Sequence, residues 1–480
     1  MKTKREKWSA NFSQWFHDVI DKAMIADYRY PIKGCGVWLP YGFKLREKIL
    51  SIIRKLLNDS EHEEVLFPLM ITSEMLRKEA EHVGSFEDQT FWITRAGGKK
   101  LDEEIALRPT SETALAPMFK LWIRSHQDLP KKIYQIVSVF RYETKATKPL
   151  IRLREVSTFK EAHTCHKSFE DATQQVDKAV DLYIQFFNNL CLPYLISKRP
   201  AWDKFAGAEY SIAFDTLLPD GRTLQIGTVH NLGQNFSKAF DISFETEDGQ
   251  QDYIYQTSYG ISERVVAGVI AIHGDDHGLV LPPDLAPIQV VIVPILYKGF
   301  EEEITDKSKA IEELVKKEGI RVEADFRDKL TPGSKFYEWE LKGVPIRIEI
   351  GPRDIQQHNL LIVRRDTLEK KVINEDEVVE QIMLSFTDMK QDLADRALSW
   401  FNNYLHCADT VDEAKDFLNK KFGIVEVGWC GNTDCGLKAE EKIDATVLGT
   451  QFKDKKESLL QNCLICNKQA KLTMRLAKST

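Results

Sequence analysis

Residues 140–160 concentrate side chains that could bind a polyphosphate. The cations of this stretch are Arg141, Lys145, Lys148, Arg152, Arg154 and Lys160, and its anions are Glu143 and Glu155. Arginine stays protonated at neutral pH, and its planar guanidinium matches the geometry of phosphate oxygens. A carboxylate could accept from the exocyclic amine of a base, and an aromatic ring on the return strand could stack on that base. The stretch is either a nucleotide site or a solvated surface hairpin.

A second anion-binding signal lies at residues 260–264, which read GISER. An apolar helix is predicted to begin there with Ser262 as its N-cap and to stop at Gly274. A helix N-terminus attracts anions, whereas an arginine in the first turn opposes the helix dipole. A bound phosphate would explain Arg264. The chain has no GxxxxGK[ST] motif, so a P-loop is excluded as the nucleotide site.

Four cysteines near the end of the sequence form two close pairs, Cys430 with Cys435 and Cys463 with Cys466. Four residues separate the first pair and two separate the second, which fits a tetrahedral site of four thiolates. We therefore predict structural Zn²⁺. Four protein ligands leave no open position for catalysis, and disulfides are disfavoured in a reducing compartment.

Length and composition place these features in a multidomain globular protein. A chain of 480 residues is too long for one core. The formal net charge of -7 means that any contact with nucleic acid has to come from local patches. No run resembles a transmembrane helix, and no apolar h-region follows the basic N-terminus. We expect a cytoplasmic protein with no membrane contact.

A helix and a pair of antiparallel strands would position the basic hairpin. Apolar residues recur at helical spacing over residues 42–59. The apolar run at 65–70 is predicted to be a strand that Pro68 interrupts. Segments 132–140 and 154–163 are predicted to pair in antiparallel fashion across the basic loop.

The pattern changes near residue 283, where the proline-rich run LPPDLAPIQVV predicts a linker. Beyond it strands alternate with helices, which indicates a small α/β domain with a largely parallel sheet. In its strand VPIRIEI, isoleucines form one face, predicted to be buried, and Arg347 and Glu349 form the other, predicted to be polar. A helical segment at about 375–403 leads to the cysteine-rich end.

Together these stretches resemble the three signatures of the class II aminoacyl-tRNA synthetases. The helix at 42–59 with the Pro68 segment resembles the first signature, which forms the dimer interface in that family. FRYE, the basic loop and Phe159 resemble the second signature, and GISER with its helix resembles the third. Four longer runs resemble the prolyl-tRNA synthetases of the archaeal/eukaryotic type, namely RPTSET, RPAWDKFAGAEYS, TLQIGTVHNLGQNFSKAF and KGVPIRIEIGPRD. This resemblance extends over essentially the whole chain.

The resemblance implies an overall α/β (α+β) architecture of three units in a homodimer. These are a class II catalytic domain with an antiparallel sheet at 1–283, an α/β anticodon-binding domain at 284–390, and a small zinc-binding α+β domain at 391–480. It also implies an enzyme that makes prolyl-adenylate from ATP and L-proline and then esterifies tRNA(Pro).

The resemblance implies roles for single residues at the nucleotide. Arg141 would bridge the ATP α-phosphate and the amino-acid carboxylate, and Arg141 and Arg264 would be the catalytic residues. Glu143 would accept from the adenine amine, and Phe159 would stack on the ring. Arg152 and Arg264 would hold the triphosphate, and Gln225, Thr228 and Ser262 would lie around the nucleotide and its Mg²⁺.

The family's amino-acid pocket maps onto six further residues besides Arg141. Thr110 and Glu112 match ammonium ligands, His163 and His230 match pocket residues, and Trp202 and Phe205 match ring-facing walls. An apolar pocket discriminates by roughly 1–3 kcal/mol per methylene. No editing domain is recognisable between the second and third signatures, so we expect some activation of alanine or cysteine.

The anticodon contacts of the family fall on the α/β unit. Arg347 and Glu340 match residues that contact anticodon guanines, and Arg353 lies in the neighbouring turn. Arginine to guanine and carboxylate to a base amine are sound pairings, and RNA readers bind splayed loop bases in this way.

Three other interpretations remain open. One is a sibling class II ligase for another small amino acid, against which RPTSET and GTVHNLGQNFSKAF argue. Another is a non-catalytic RNA-binding paralogue, which the presence of Arg141, Arg152 and Arg264 disfavours. The third is a zinc-ribbon protein that acts on nucleic acid. Relatives commonly end in an aromatic residue directed toward the active site, whereas this sequence ends RLAKST. That contact is absent here, or Ser479 and Thr480 replace it.

Overall fold

The computed structural model describes residues 7–82, 87–420, 422–453 and 460–480. The first six residues of the basic N-terminal segment lie outside this range. Through residue 273 the elements are α1 (Phe12–Lys22), β1 (Ala26–Asp27), β2 (Val37–Trp38), α2 (Pro40–Asp59), β3 (Glu63–Glu64), β4 (Met70–Thr72), α3 (Ser73–His82), β5 (Phe91–Ala96), β6 (Lys99–Leu107), α4 (Glu112–Trp122), β7 (Lys131–Phe140), β8 (Glu155–His166), α5 (Phe169–Asn189), β9 (Leu195–Lys198), β10 (Tyr210–Leu217), β11 (Thr223–Gly233), α6 (Asn235–Ala239), β12 (Ser243–Glu245), β13 (Gln251–Tyr253), β14 (Tyr255–Ile261) and α7 (Arg264–His273).

The remaining elements fall in two groups along the chain. The first comprises β15 (Val290–Pro294), α8 (Glu301–Lys317), β16 (Val322–Ala324), α9 (Pro332–Lys342), β17 (Ile346–Ile350), α10 (Pro352–Gln357), β18 (Asn359–Arg364), β19 (Lys370–Asn374) and α11 (Val378–Asn402). The second comprises β20 (Leu405–Cys407), α12 (Val411–Lys420), β21 (Ile424–Trp429), α13 (Thr433–Ile443), β22 (Thr446–Gln451) and β23 (Leu472–Ala477).

One large sheet organises the molecule. Within the described ranges it has 11 strands in the order β20-β21-β23-β22-β9-β10-β11-β14-β8-β7-β3. The strands from β9 to β7 are mutually antiparallel. The pairing of β7 with β8 confirms the predicted hairpin. At the other end of this antiparallel group, Thr450 and Gln451 of β22 pair with Lys198 and Ser197 of β9, so the last strands of the chain extend the same sheet.

Alternation along the strands gives this sheet two different faces. Ala162, Val229 and Tyr259 belong to an apolar core that also contains side chains of α2, α5 and α7. Lys160 lies on this apolar face as well, although the sequence groups it with the basic hairpin. Its ammonium donates to the Tyr183 hydroxyl at 2.8 Å and to the Tyr259 carbonyl at 3.2 Å. Burial lowers the pKa of Lys160 well below its usual value.

The predicted strand at residues 65–70 is wrong. The structure has β3 before it and β4 at its end, and residues 65–69 are not in a strand. Pro68 cannot donate to a ladder. Side chains bind the backbone of this segment instead. The amide of Phe67 donates to Gln135 Oε1 at 3.0 Å, and Arg108 Nη1 donates to the carbonyls of Phe67 and Pro68 at 2.9 and 3.0 Å.

The α/β unit has a mixed sheet rather than a largely parallel one. Its order is β16-β15-β17-β18-β19, in which β15 is parallel to β16 and β17 while β18 and β19 are antiparallel to their neighbours. Only the short helix α10 separates β17 from β18, and this connection is too short for a parallel crossover.

The proline-rich segment near residue 283 is packed rather than extended into solvent. Leu279, Leu281 and Leu285 are fully buried in the core beneath the large sheet. A bidentate ion pair adds to this packing, since Arg365 donates to both oxygens of Asp275 at 2.7 and 2.6 Å. The α/β unit is therefore fixed by apolar and ionic contacts against the unit that contains the large sheet.

We predict that Gly42→Ala destabilises the protein. Gly42 lies in the first turn of α2, and a Cβ there would be 2.0 Å from the Ile25 carbonyl oxygen. The Ile25 backbone cannot move aside without distorting the fold, so the free energy of unfolding should fall by at least about 2 kcal/mol. The measurement is a lower midpoint of thermal unfolding. Gly333→Ala is the matched control, because Gly333 also lies in a first turn that begins with a proline. Among the described residues no neighbouring atom lies within 4 Å of the Cβ that this substitution adds. It should leave the midpoint unchanged or raise it by the equivalent of about 0.5–1 kcal/mol. Equal midpoints for both variants would contradict the prediction.

Candidate active site

A cavity of about 300 Å³ opens on the face of the sheet opposite the apolar core. Strands β8, β11 and β14 form its floor, because Glu161, Thr228, His230 and Ser258 alternate with the core residues of the same strands. The sequence-predicted residues that line it are Thr110, Glu112, Arg141, Glu143, Arg152, Phe159, Phe205, Gln225, Thr228, His230, Ser262 and Arg264. His163 and Trp202 are not among the lining residues.

Three arginines give one end of the cavity a concentrated positive charge. Arg264 Nε donates to the Ile151 carbonyl at 3.0 Å, and Arg141 Nε donates to the Pro109 carbonyl at 3.0 Å. Desolvation, followed by repulsion from Arg141 and Arg152, lowers the pKa of Arg264 to about 10. Even so Arg264 stays charged at neutral pH. A polyanion between them would remove the repulsion, so this end is built to bind one.

Arg141 lies between the positive end of the cavity and its acidic end. Desolvation lowers its pKa, while the negative charges of Glu161, Glu112 and Glu143 act in the opposite direction. The guanidinium carbon is 5.6 Å from the centre of the Phe159 ring. The position therefore suits a group that contacts two anions at once, one on each side.

The acidic end consists of two buried carboxylates and a histidine. Glu112 is 7 % exposed and Glu161 is 2 % exposed. Glu112 accepts from the Ser258 hydroxyl at 2.8 Å and is hydrogen-bonded to Thr110. Glu161 accepts from the Ser111 hydroxyl at 2.8 Å, and His163 Nε2 lies 3.2 Å from its other oxygen. Two buried carboxylates this close favour a cation between them.

Two rings form an apolar wall beside the acidic end. Phe205 stacks on His230 with centroids 4.7 Å apart. Ser211 Oγ is bonded to His230 Nδ1 at 2.8 Å and accepts from the Phe205 amide at 2.9 Å. Burial lowers the pKa of His230, so its ring is neutral at pH 7 and serves as a flat partner for Phe205.

Trp202 and His163 are not placed as cavity walls. His163 lies behind the two carboxylates, and its Nδ1 is 4.0 Å from Glu112 Oε1. Trp202 faces the C-terminal unit and packs edge-on against Trp429, with ring centroids 6.1 Å apart. The preceding Arg199 and the following Asp203, Lys204 and Phe205 turn toward the cavity instead.

Ser262 is near the helix terminus but not at the predicted cap position. Helix α7 begins at Arg264 with Glu263 as the capping residue, and no side chain caps it there. Ser262 Oγ accepts from the Arg264 amide at 3.4 Å. Gln225 Oε1 accepts from Arg199 at 3.3 Å, and the same guanidinium nitrogen donates to Asp215 at 2.8 Å.

Sequence reasoning missed Glu161 and Arg199 as cavity residues. Glu161 could have been found from strand alternation, because Phe159, Glu161 and His163 fall on one face of β8. Arg199 had no such signal, since it follows β9 in a loop whose direction only the folded chain defines.

The predicted anticodon residues form a cluster away from the cavity. Arg347 Nη1 donates to Glu340 at 2.8 Å and Nε donates to Glu349 at 3.0 Å. Its guanidinium also lies 4.1 Å from the centre of the Phe336 ring. Arg347 is only 8 % exposed, so the face predicted to be polar is buried by its own ion pairs. Arg353, in the first turn of α10, is exposed and separate from this cluster.

The four cysteines come together as predicted. The sulfur atoms of Cys430, Cys435, Cys463 and Cys466 lie within 4.8 Å of one another, and all four thiols are free. Burial disfavours the Cys463 thiolate, but N–H groups of Cys466 and Ile465 more than offset this and lower the pKa of Cys463. Four sulfur donors at this spacing fit a tetrahedral soft-metal site.

Comparisons with known proteins agree with this geometry. Family descriptions match residues 91–273 as the tRNA synthetase class II core domain (G, H, P, S and T), 289–383 as the anticodon binding domain, and 411–480 as the prolyl-tRNA synthetase C-terminal domain. Proline–tRNA ligase of Sulfurisphaera tokodaii is 53 % identical over 484 residues, covering 100 % of both chains. Those of Metallosphaera sedula and Methanopyrus kandleri are 54 % and 52 % identical, covering 100 % and 98 % of this chain and 100 % and 96 % of their own. The chain belongs to the proline–tRNA ligase family.

A solved structure supports the same membership of the proline–tRNA ligase family. Prolyl-tRNA synthetase of Giardia lamblia, in complex with prolyl-adenylate, superposes with a TM-score of 0.95 at 37 % identity and covers 98 % of this chain and 99 % of its own. Across the described ranges, no helix combines the length and apolar character needed to cross a bilayer.

The last residues of this family member pair with the start of β11. The Thr223 amide donates to the Lys478 carbonyl at 2.9 Å, and the Thr480 amide donates to the Thr223 carbonyl at 3.1 Å. Ser479 and Thr480 do not line the cavity. Their contact is with the strand that carries Gln225 and Thr228. Besides the backbone bonds, the hydroxyls of Thr223 and Ser479 are hydrogen-bonded at 3.3 Å.

A buried acid, Glu263, links the third-signature helix to α2. It is 2 % exposed and accepts from the Ser157 hydroxyl at 2.5 Å, and Trp38 Nε1 donates to the same hydroxyl at 2.9 Å. Arg46 of α2 donates to the Ser157 carbonyl at 3.2 Å. Burial raises the pKa of Glu263 to about 7, even though these donors favour the carboxylate.

We predict that Glu263→Gln flattens the pH dependence of stability. Because the folded pKa is about 7 and the ordinary value is 4.5, the folded chain binds more protons than the unfolded chain between these values. The stability of the wild type should therefore fall as pH rises through this window, by roughly 3 kcal/mol from this group. Between pH 5 and pH 8 the variant should therefore lose less stability than the wild type. The measurement is the midpoint of thermal unfolding of both proteins across this range. Glu318→Gln, at an exposed position, is the control and should follow the wild type. Parallel curves for wild type and Glu263→Gln would refute the assignment.

Proposed function

We propose that this chain activates L-proline with ATP and transfers the prolyl group to tRNA(Pro), using the cavity on the large sheet. The observation that carries the proposal is one cavity with three guanidinium groups toward one end and two buried carboxylates at the other, in which Arg141 is the guanidinium that lies toward the carboxylates. Prolyl-adenylate formation needs this order of charges. The triphosphate is anionic, the amino acid has a cationic ammonium, and its carboxylate meets the α-phosphate where the two substrates join.

In the first step a carboxylate oxygen of proline attacks the α-phosphorus, and the bond to the β-phosphate oxygen breaks to release pyrophosphate. The carboxylate is already ionised, so no general base is required. Arg141 would contact the carboxylate and the α-phosphate, and its charge would stabilise the transition state. Arg152 and Arg264 would hold the β- and γ-phosphates. Catalysis would come from orientation and charge stabilisation.

The remaining nucleotide contacts follow from the same placement. Phe159 would stack on adenine, and Glu143 would accept from its exocyclic amine. Gln225, Thr228 and Ser262 offer oxygen atoms beside the phosphate path. These residues fit an ATP-bound Mg²⁺, which supplies charge neutralisation on the phosphates when bound.

At the acidic end, Thr110 and Glu112 would accept from the secondary ammonium of proline, and Glu161 and His163 would orient Glu112. Glu112, Glu161 and His163 could also hold a metal ion by their spacing. We favour the ammonium, because the oxygens of both carboxylates are already bound to hydroxyl or amide donors. Phe205 and His230 would contact the ring.

The other units have supporting roles in the proposal. Glu340, Arg347 and Arg353 would contact the anticodon of tRNA(Pro), and the four cysteines would hold one structural Zn²⁺.

Exposed apolar side chains surround the contact between Phe67 and Trp122, which supports a homodimer through this surface. They are Leu66, Leu69, Met70 and Leu121, and Trp122 is itself exposed. The proposed location is the cytoplasm, where tRNA and reduced thiols coexist.

We expect ATP–pyrophosphate exchange, measured across all twenty amino acids without tRNA, to be strongest with proline. Alanine and cysteine should give weak exchange, because a small apolar pocket separates them from proline only modestly. Glu112→Gln should raise the KM for proline by about tenfold or more and leave the KM for ATP nearly unchanged. Glu104→Gln, at an exposed position on β6, is the control. No exchange with any amino acid from folded protein would favour the non-catalytic RNA-binding alternative.

We expect Arg347→Ala to impair tRNA charging while proline-dependent exchange stays at the wild-type rate. The reason is that Arg347 lies in the α/β unit, outside the residues that line the cavity. One guanidinium-to-base contact contributes about 1–3 kcal/mol. Its loss should therefore lower kcat/KM for tRNA charging by roughly tenfold to a hundredfold. Removing Arg347 also takes an ion-pair partner away from Glu340 and Glu349. Arg364→Ala therefore serves as a control that breaks an ion pair of the neighbouring strand. Equal losses in charging and exchange would argue against an anticodon role.

A further inference from the structure

The loop between β9 and β10 faces the cavity on one side and the C-terminal unit on the other. Arg199, Asp203, Lys204 and Phe205 line the cavity. Trp202, in the middle of the same loop, points away from it. A displacement of Trp202 would therefore also displace the residues that line the acidic end of the cavity, where proline is proposed to bind.

Trp202 packs directly against the polypeptide that carries the four cysteines. Its ring meets Trp429, the residue before Cys430, edge-on at 6.1 Å and 88°. The apolar cluster that it joins includes Cys435 and Cys463. Its indole Nε1 is buried with no hydrogen-bond partner in the part of the chain that the structure describes, so this side chain is held here by packing.

The closest approach is to Gly436, the residue after Cys435. A Cβ on Gly436 would lie 2.2 Å from Trp202 Cη2 and 2.7 Å from Cζ2. Gly436 lies inside α13, where glycine is less favourable than alanine. Its backbone is not in the left-handed region, so conformation does not require a glycine. The missing side chain admits the edge of the Trp202 ring.

A second contact ties the start of the loop to the same unit. Arg199 Nη1 donates to the Leu448 carbonyl at 2.9 Å, while Nη2 donates to Asp215 at 2.8 Å. A Cβ on Gly449 would lie 2.1 Å from the Lys198 carbonyl oxygen, so β22 and the end of β9 are in close contact. The loop is thus held to the C-terminal unit at both Arg199 and Trp202.

We propose that Trp202 is a positioning residue that couples the four-cysteine site to the amino-acid end of the cavity. Metal held by Cys430 and Cys435 fixes the end of β21 and the start of α13, which are the surfaces that Trp202 contacts. These surfaces hold the loop so that Phe205 stays stacked on His230. The metal site then acts on proline binding without contributing an atom to the reaction. The inference rests on the proposed assignment of this end of the cavity to proline.

The test is a double-mutant cycle between Gly436 and Trp202. Gly436→Ala adds one methyl group that forces the Trp202 ring to move. We expect it to raise the KM for proline in the exchange assay by about tenfold, with little change in kcat or in the KM for ATP. Hydrogen–deuterium exchange in peptides spanning 199–209 should become faster. In a Trp202→Ala background, which itself raises the KM for proline, Gly436→Ala should add no further effect.

Leu437→Ala is the matched control, because Leu437 is the next residue of α13 and is exposed. It should behave as wild type in all these measurements. Zinc content, measured on every variant, separates loop displacement from metal loss, and we expect Gly436→Ala to keep its metal. Removal of the metal by a chelator from wild-type protein should speed exchange in the same 199–209 peptides.

Some outcomes would overturn the proposal. One is an unchanged KM for proline and unchanged exchange of residues 199–209 in Gly436→Ala. Another is an equal effect of Gly436→Ala in the wild-type and Trp202→Ala backgrounds. Failure of the proposed function has a different signature. The wild-type protein would then show no proline-dependent exchange, while hydrogen–deuterium exchange of the loop would still respond to Gly436→Ala.

Discussion

Repulsion among Arg141, Arg152 and Arg264 is the interaction on which the rest of the catalytic unit depends. These groups are held close together at one end of a partly desolvated cavity, where burial is the larger cause of the lowered pKa of Arg264 and repulsion from Arg141 and Arg152 adds to it. The folded chain has to supply the opposing free energy elsewhere. It does so with the apolar face of the sheet, where side chains of α2, α5 and α7 cover the strands that form the floor of the cavity. One rigid sheet therefore separates a stabilising face from a reactive face.

The boundary between the two faces is not entirely apolar. Lys160 is buried among Tyr183 and Tyr259 on the core side, directly between Phe159 and Glu161 on the cavity side. Its ammonium is satisfied by a hydroxyl and a carbonyl of neighbouring elements, so it connects α5 and β14 to the strand that holds two cavity residues. Glu263 has a similar position between α2 and α7. Both residues fix the orientation of strands and helices, Lys160 from the core side of the sheet and Glu263 from the lining of the cavity.

Local patterns in the sequence predicted the elements that local chemistry determines. The hairpin of β7 and β8 and helix α2 follow from strand alternation and helical spacing. The cysteine cluster followed from its spacing. Features that depend on distant partners could not be predicted. Residues 65–69 fail to form a strand because Arg108 and Gln135 bind their backbone, and the polar face of β17 is buried because Glu340 comes from α9 to pair with Arg347. Trp202 faces away from the cavity because the C-terminal unit offers it Trp429 and Gly436.

The pairing of β22 with β9 also has a consequence for the order in which the chain folds on the ribosome. Domains generally fold as they emerge, and synthesis adds roughly 5–20 residues per second. Strand β9 and its neighbours emerge long before β22, so for many seconds β9 is an open edge of an otherwise assembled sheet. An open edge pairs readily with foreign strands. The C-terminal unit thus closes the sheet of a domain made well before it, and the nascent catalytic unit stays exposed to edge-to-edge aggregation until translation is nearly complete.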